Sequence, residues 1–542
     1  ANPNGVAGPP HYDLIRQQQP KQMHDLLDRA SRFGIKVYTP ILYAYSGTPE
    51  NEAALRELVR DIVGKYPDIH GYVLLTEGFV YGSFFGAGGQ KNTDLRDWAR
   101  HWSRAVAIVT EECHKLNPQI EVLPWEYNID FRPQQVELKR YVTSLLPQDS
   151  IPLLTWENGK GFELGPFHGF LRDYSISQVG PAEVTVAQLA EAKRRGMSVF
   201  SKVDTFATWQ FGTTPHLPCP YQWQRRYDAL AAAGVDGTME SWSNGYKPSF
   251  VTGLRAWSCW TDAPPFDELL RSTARHDFGP GTEDDVLEAW RLFSEAVQLV
   301  PDTGPSMGTN FAVANPLVFQ PNPPRTMTLE HSWWDEKKWE DIRRGSKLNP
   351  YWPYTHRRMV FYPNFNSRSD MAESYARGRA GVELPQTNKN GESVRVLPVF
   401  NEYLLRAADR FEAGLVPYRR AALSAPESKR SAALKEVLLV EQMQRMLRST
   451  HAILDFEHSR MVLMQGGKSD DQRKLLSRMI TILKEERART EHSLETARRD
   501  SRLGYECEQD YVYTPYVLEE KLRLIDQTLN EQIPAYRMKN DL

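Results

Sequence analysis

The chain has 542 residues, of which 41% are hydrophobic, and its formal net charge at pH 7 is −3. This length predicts two or three domains with substantial cores. The small acidic excess argues against a nucleic-acid partner, and no apolar stretch reaches the roughly 18 residues of a membrane span.

Six apolar runs alternate with helical stretches in the first half of the chain. The runs occupy residues 35–45, 69–79, 120–129, 151–159, 197–209 and 234–246. The stretches in which apolar residues recur every three or four positions occupy residues 22–34, 50–67, 93–117, 134–146, 185–196 and 221–234. A short strand followed by a helix is the repeating unit of helix-covered parallel sheets, and it predicts a TIM-type (β/α) barrel.

The six units fall short of a complete barrel. Residues 1–21 are polar and proline-rich and show no convincing strand, so the barrel could be incomplete at its N-terminus, or strands could lie outside this chain. A doubly wound open sheet is the structural alternative. The sequence gives it little support, because no G-x-G-x-x-G turn follows a predicted strand.

The second half of the chain has a different pattern of predicted secondary structure. Residues 266–396 predict a loop-rich connecting region with short helices, after a barrel domain at 1–265. Long amphipathic helices are predicted in a mainly α-helical domain at 397–542, at residues 397–422, 427–460, 469–500 and 517–533. We favour a solvated helical bundle. The alternative is a coiled-coil dimer, in which case the protein would form a homo-oligomer through this domain.

Cysteine and histidine usage argues against a metal or redox centre. The four cysteines are far apart in sequence, and neither C-x-x-C nor H-E-x-x-H occurs. The chain begins with Ala-Asn-Pro rather than Met, as chains do after removal of a secretory signal. We therefore expect a secreted or periplasmic protein that needs no cofactor and no metal.

Four glutamates stand where apolar runs end, and the carboxyl ends of all strands in a parallel barrel open on one face. Hydrolysis of a glycosidic bond needs two carboxyl groups, one protonated and one ionised. Glu77 follows an apolar run that would raise its pKa and suit a general acid. Glu157 is our preferred second carboxylate, with Glu126 and Glu240 as alternatives, and their separation would decide between retention and inversion.

Other side chains near the predicted strand ends could bind a sugar, since aromatic rings stack on pyranose faces and charged groups address hydroxyls. These residues are Tyr81, Trp125, Tyr127, Trp156, Lys202, Asp204, Trp209 and Trp242. Asp173 is a further candidate, although the adjacent Arg172 suggests a salt bridge. Arg502 lies in a segment at 498–514 that interrupts the last helices and could cap the barrel mouth; a self-contained loop is the alternative.

The order of these features resembles the barrel glycosidases of the broad group that contains the family 20 hexosaminidases and the α-glucuronidases, over roughly residues 20–250. In family 20 the fourth strand ends in an Asp-Glu pair, and the corresponding residues here are Thr76 and Glu77. The resemblance implies that Glu77 is the acid, while the absent Asp argues against acetamide-assisted catalysis. The runs GVDGTMESWSNGY and DSRLGYE also resemble uncharacterised, glycosidase-like bacterial proteins with a helical C-terminal region.

Together these features predict a glycoside hydrolase that cleaves an O-glycosidic bond in an oligo- or polysaccharide by a two-carboxylate acid/base mechanism. Two alternatives remain open at this point. The first is a non-catalytic carbohydrate-binding protein on a barrel scaffold, which would keep the aromatic residues without needing paired acids. The second is a sugar lyase or isomerase, which would need a metal or a Lys, His or Tyr base.

Overall fold

The structure is a computed structural model of the chain. It describes residues 20–41, 45, 47–76, 95–127, 136–171, 175–204, 210–241, 248–301, 309, 312–315, 317, 319, 385–387, 393–464, 466–506, 510–511 and 513–542. Much of the predicted connecting region thus lies outside the described residues.

Contacts along the chain define two compact units. The first comprises Ala1–Lys160, Gly180–Val203 and Ala229–Glu240, and the second comprises Gly161–Val179, Asp204–Asp228 and Ser241–Leu542. The second unit therefore includes two short segments that come before the last strand of the first unit. The domain boundaries at residues 265 and 396 stay predictions.

A six-stranded parallel sheet lies in the first unit. The strands up to residue 240, in chain order, are β1 (Tyr38–Ile41), β2 (Gly71–Leu75), β3 (Glu121–Trp125), β4 (Leu153–Thr155), β5 (Gly161–Leu164), β6 (Phe167–Phe170), β7 (Phe200–Lys202) and β8 (Gly237–Met239). The sheet order is β1-β2-β3-β4-β7-β8, with every pair parallel, and β5 and β6 form a separate antiparallel hairpin. All six predicted strands are confirmed. Because the order never reverses, the curled sheet is compatible with an incomplete barrel rather than a doubly wound fold.

Helices between the strands also match the sequence prediction. They are α1 (Pro20–Arg32), α2 (Pro49–Lys65), α3 (Leu95–Leu116), α4 (Val136–Leu145), α5 (Glu183–Arg194) and α6 (Pro220–Ala233). The Thr48 side chain caps α2 by accepting a hydrogen bond from the Asn51 backbone N–H at 3.3 Å. Gly196 and Gly234 end α5 and α6 with φ angles of 70° and 62°, a left-handed conformation that favours glycine.

Alternate strand residues face opposite sides of the sheet. On one side, which we call the helix side, strand residues pack with apolar residues of α2 to α5; they include Tyr72, Leu74, Val122 and Leu154. The intervening residues face what we call the inner side and are also buried; they include Val73, Leu75, Leu123, Trp125 and Leu153. Burial on both sides is usual for a parallel sheet covered by helices.

At the N-terminal ends of the first three strands, a polar contact crosses the inner side. The register places Tyr38 opposite Gly71, and Gly71 opposite Glu121. The Tyr38 hydroxyl donates a hydrogen bond to the Glu121 carboxylate, and Lys36 Nζ lies 3.4 Å from the same group. Burial, together with this hydrogen bond, raises the pKa of Tyr38 above its ordinary value. Gly71 leaves the space through which the tyrosine ring reaches β3.

The described part of the second unit is mainly helical. Its helices are α7 (Phe250–Trp257), α8 (Phe266–Phe278), α9 (Glu283–Gln298), α10 (Val396–Ser424), α11 (Glu427–Met464), α12 (Ser469–Arg499), α13 (Pro515–Gln527), a π-helical turn at Thr528–Gln532 and α14 (Ile533–Lys539). Two more antiparallel hairpins are β9 (Pro385–Thr387) with β10 (Ser393–Arg395), and β11 (Tyr505–Glu506) with β12 (Asp510–Tyr511). The long C-terminal helices are confirmed, and none of the described helices has the length and hydropathy needed to cross a membrane.

One ion pair lies entirely inside this helical unit. Lys521 Nζ on α13 lies 2.5 Å from Glu486 Oε1 on α12, and both side chains are fully buried. Lys521 also donates to two backbone carbonyls at 312–313, and Glu486 accepts hydrogen bonds from Ser449 and Arg489. Such additional bonds are what make a buried ion pair tolerable, since desolvation of both charges is costly.

Replacing Gly71 by Ala should destabilise the sheet. An added Cβ would lie 2.8 Å from the Glu121 carbonyl oxygen and would collide with the Tyr38 ring. We expect a loss of about 1–3 kcal/mol in the free energy of unfolding, measured by urea denaturation. Gly64→Ala is the control, because Gly64 lies in α2 with open space around it and should gain up to about 1 kcal/mol. Equal stability of Gly71→Ala and the wild type would contradict the packing described here.

Candidate active site

Hydrogen bonds and ring contacts join the carboxyl ends of β2, β3 and β4. Trp125 Nε1 on β3 donates a hydrogen bond to Thr155 Oγ1 on β4 at 2.9 Å. The Trp125 and Tyr127 rings are 4.4 Å apart between centroids and tilted by 31°. The Thr76 hydroxyl, just after β2, donates to the Tyr127 carbonyl. Because both Trp125 and Tyr127 are buried, they form part of a packed floor rather than an open platform.

Lys202 continues this layer on β7. The register pairs Thr155 with Lys202, and Lys202 with Met239 on β8, so that all three side chains lie on the inner side. The Lys202 side chain is fully buried. A lysine at this position brings an amino group close to the strand ends without exposing it to bulk water.

Glu157 is a buried residue just beyond the end of β4. The Trp156 backbone N–H donates to the Lys202 carbonyl at 3.2 Å, which extends the pairing between β4 and β7 by one residue beyond the strand. Glu157 is the next residue, and it is only 6% exposed. Glu157 Oε1 accepts a long hydrogen bond of 3.4 Å from the Gly180 backbone N–H.

Trp156 lies on the opposite side of the sheet. It is fully buried and packs with Val203 and Leu230. The expectation that Trp156 lines a sugar subsite came from its position near the end of an apolar run. The packing gives it a role in the core instead, because alternation directs it to the helix side.

Glu126 also lies on the helix side. Its carboxylate is 2.5 Å from Lys139 Nζ on α4 and accepts a hydrogen bond of 3.1 Å from Gln188 on α5. Lys139 is 1% exposed and the Glu126 side chain 8% exposed, so the pair is buried. These contacts join β3 to two helices and favour a structural role over a catalytic one.

Glu240 is also directed away from the inner side. Thr238 Oγ1 donates a hydrogen bond of 2.5 Å to Glu240 Oε1. Thr238 pairs in register with Ser201, and Ser201 pairs with Leu154, whose side chain packs on the helix side. The side chains of Thr238 and Ser201 therefore also lie on the helix side. The partly exposed Glu240 therefore shares the side of Thr238, and it is the weaker candidate beside Glu157.

Asp204 belongs to a segment of the second unit. Its side chain is buried, and its carbonyl accepts a hydrogen bond of 2.6 Å from Arg226. Arg226 donates a second bond, to the Ser175 carbonyl, and its guanidinium lies 5.3 Å from the Trp223 ring centroid. These contacts fix the backbone of the segment that follows β7. A sugar-binding role for Asp204 stays a prediction.

Arg502 lies in an ionic cluster of the second unit. Its guanidinium is 2.8 Å from the Asp500 carboxylate and 3.4 Å from Glu436, which in turn lies 2.9 Å from His216. Burial raises the pKa of Asp500, but hydrogen bonds from the Arg502 side chain and backbone outweigh burial, and the pKa falls below its ordinary value. These partners account for the charge of Arg502 without a substrate.

Four further site residues and Asp173 fall outside the described residues. They are Glu77, Tyr81, Trp209 and Trp242. The sequence interpretation also missed Thr76 and Thr155, which join neighbouring strand ends. A signal for them was available, since each follows a Leu-Leu pair and precedes one of the favoured glutamates.

Comparison with known proteins relates the chain to solved structures at low sequence identity. No protein-family model and no curated protein match the chain. Among solved structures, the chain is similar to a GH138 enzyme targeting pectin rhamnogalacturonan II, with 11% sequence identity and a TM-score of 0.45. The match covers 96% of this chain and 57% of that one. This neighbour is a glycoside hydrolase, and the more specific family group named above stays a prediction.

Breaking the Glu126–Lys139 pair from one side should be costly. Lys139→Met would leave the buried Glu126 carboxylate without its cation, and we expect a loss of about 3–5 kcal/mol in unfolding free energy. The double variant Glu126→Gln/Lys139→Met should recover most of this loss, because no buried charge remains. Urea denaturation of the three proteins measures both effects. A Lys139→Met variant no less stable than the double variant would contradict a buried ion pair.

The Arg502 cluster should make stability depend on pH. The pKa values of Asp500 and Glu436 are both depressed in the folded state, so the unfolded state binds more protons in acid. Their contribution is therefore present above the ordinary carboxyl pKa and is lost as the pH falls from about 5 to about 3. Arg502→Met should lose more stability at neutral pH than in acid, and so should flatten this dependence.

Arg498→Met is the matched control for that experiment. Arg498 pairs with Glu519 at 2.6 Å, but both side chains are about half exposed, so its loss should change stability little at any pH. Denaturant unfolding across the acid range compares the three proteins. If Arg502→Met and the wild type lose stability in parallel as the pH falls, the cluster does not depress these pKa values.

Proposed function

We propose that this protein is a glycoside hydrolase acting at the carboxyl ends of the parallel strands, on a sheet that belongs to a TIM-type barrel. The observation that carries the proposal is the position of Glu157. Glu157 is buried just beyond the carboxyl end of β4, two residues after Thr155. Enzymes of this architecture place catalytic side chains at this end of the strands.

Glu77 is the proposed general acid. It follows Leu75, the last residue of β2, by two residues in sequence, so we expect its side chain at the carboxyl end of that strand. The apolar residues of β2 next to it would keep the carboxyl group protonated near neutral pH, since burial disfavours the charged form. It would then donate its proton to the leaving glycosidic oxygen as the bond breaks.

Glu157 is the proposed second carboxylate. In ionised form it would either attack the anomeric carbon or remove a proton from an attacking water molecule. The buried Trp125 and Tyr127 would support the floor of the site, while sugar contacts from Tyr81, Asp204, Trp209 and Trp242 remain part of the proposal.

Activity of carboxamide variants tests the two roles. Purified protein is screened against aryl glycosides and against soluble pectin, xylan and mixed-linkage β-glucan, with products identified by mass spectrometry. On any substrate that is cleaved, Glu77→Gln and Glu157→Gln should each reduce turnover by about 10²–10⁴-fold, because each removes a proton-transfer or nucleophilic group.

Glu240→Gln is the matched control, since Glu240 also follows a strand but lies with Thr238 on the other side. It should keep most of the wild-type turnover. Retained turnover in Glu157→Gln, or equal losses in Glu157→Gln and Glu240→Gln, would contradict the assignment. Azide should partly restore cleavage by Glu157→Ala if Glu157 supplies or activates the nucleophile.

A sugar lyase is the second candidate, and the buried Lys202 is the observation that favours it. Lyases of sugars can use a lysine as the base that removes a proton from carbon. Reaction in ¹⁸O-labelled water separates the two. Hydrolysis incorporates one labelled oxygen per bond cleaved, whereas elimination incorporates none and leaves an unsaturated sugar.

A further inference from the structure

Two exposed tryptophans stand at the end of α7 in the second unit. Trp257 is 44% exposed and Trp260 is 69% exposed, while the other six tryptophans among the described residues are buried. The two rings are 6.1 Å apart between centroids, with an angle of 46° between their planes. We propose that Trp257 and Trp260 form a surface platform that binds a saccharide chain, in addition to the candidate active site.

The exposure of these rings needs a reason. A tryptophan carries one of the largest apolar surfaces of any side chain, and its burial is a main source of folding energy. Neither indole N–H of Trp257 and Trp260 donates to a described residue, and both side chains keep much of their surface exposed. Adjacent exposed aromatic rings that contribute little to the core are the usual mark of a binding surface.

The surroundings favour a sugar over a protein or a lipid surface. Between Ser249 and Pro265 the large apolar side chains that are exposed are these two tryptophans, and no aliphatic one joins them. Exposed residues around them are small or polar: Gly253, Ala256, Ser258, Thr261 and Asp262. The core of a protein interface and a membrane-inserting surface both need a wider apolar area. Flat rings next to hydroxyl and carboxylate groups suit a sugar, whose C–H faces stack while its hydroxyls form hydrogen bonds.

The platform is held in place before any ligand arrives. Leu254 anchors α7 in the core, and the Trp260 backbone N–H donates to the Trp257 carbonyl at 3.0 Å. Arg255 and Ser258 form a side-chain hydrogen bond of 2.7 Å across the same turn. Little conformational entropy would therefore be lost on binding, which favours affinity from a small contact area.

The angle between the rings limits the kind of ligand. Planes inclined by 46° cannot both lie flat against one face of a single pyranose ring. Each ring would instead contact a different unit of a chain, so the geometry predicts binding of an oligo- or polysaccharide over a monosaccharide. This inference rests on the proposed function, for which such a surface would hold a polymeric substrate near the enzyme.

Native gel electrophoresis in the presence of soluble pectin, xylan or mixed-linkage β-glucan tests the platform. The full-length protein should be retarded by at least one of these polymers. Trp257→Ala/Trp260→Ala should weaken the apparent affinity by about tenfold or more, from the loss of two stacking contacts. Trp257→Phe/Trp260→Phe should keep part of the affinity, and hydrolysis of small aryl glycosides should be unchanged in both variants.

Tyr516→Ala is the matched control, because Tyr516 is an aromatic residue of the same unit that is 40% exposed. The platform is excluded if the wild type is retarded by none of the polymers, or if the double alanine variant is retarded like the wild type. It is also excluded if that variant changes the oligomeric state, which would mark an interface between copies. The Glu157→Gln variant distinguishes the platform from the proposed active site. It should lose hydrolysis but should still be retarded by the polymer.

Discussion

The alternation of side chains along parallel strands is the constraint on which the candidate site depends. The central strands β2, β3 and β4 are buried on both sides, and a shift of one residue exchanges the helix side for the inner side. This two-residue period determines which side of the sheet each residue near a strand end of the first unit faces. It directs Thr155 and Lys202 to the inner side, while the contacts of Glu126, Trp156 and Glu240 lie on the side of the helices.

The sequence predicted the strands and helices of the first unit well, because each element has a strong local signal. Apolar runs of a few residues alternate with helices whose apolar positions recur at three and four residues, and both survive in the structure. Which side each strand-end residue faces could not be predicted in the same way. Where both sides are apolar, hydropathy carries no period of two, and the strand register decides. Thr76 and Thr155 show this. Both follow two leucines in sequence, but the strand register places Thr155 on the inner side, whereas alternation along β2 would not place Thr76 there.

Polar partners distant in sequence explain the other differences. Arg502 is a predicted sugar-binding residue because its segment interrupts two helices, but it pairs with Asp500 two residues away and with Glu436, which is 66 residues away and cannot be found from local patterns. Glu126 was a catalytic candidate until Lys139 and Gln188 supplied two hydrogen bonds from different helices. The sequence predicts short helices in a loop-rich region at 266–396 without bounds, and the structure has α8 and α9 there, with α9 packed in the helical core.

The most direct measurement of the account is the distance between the carboxyl groups of Glu77 and Glu157 in a crystal structure with a bound saccharide. Our account predicts that both groups flank one glycosidic bond on the inner side. Their separation should then be about 5–5.5 Å for a retaining enzyme or about 6.5–9.5 Å for an inverting one. A separation well beyond about 10 Å, or a Glu77 side chain on the helix side, would contradict it.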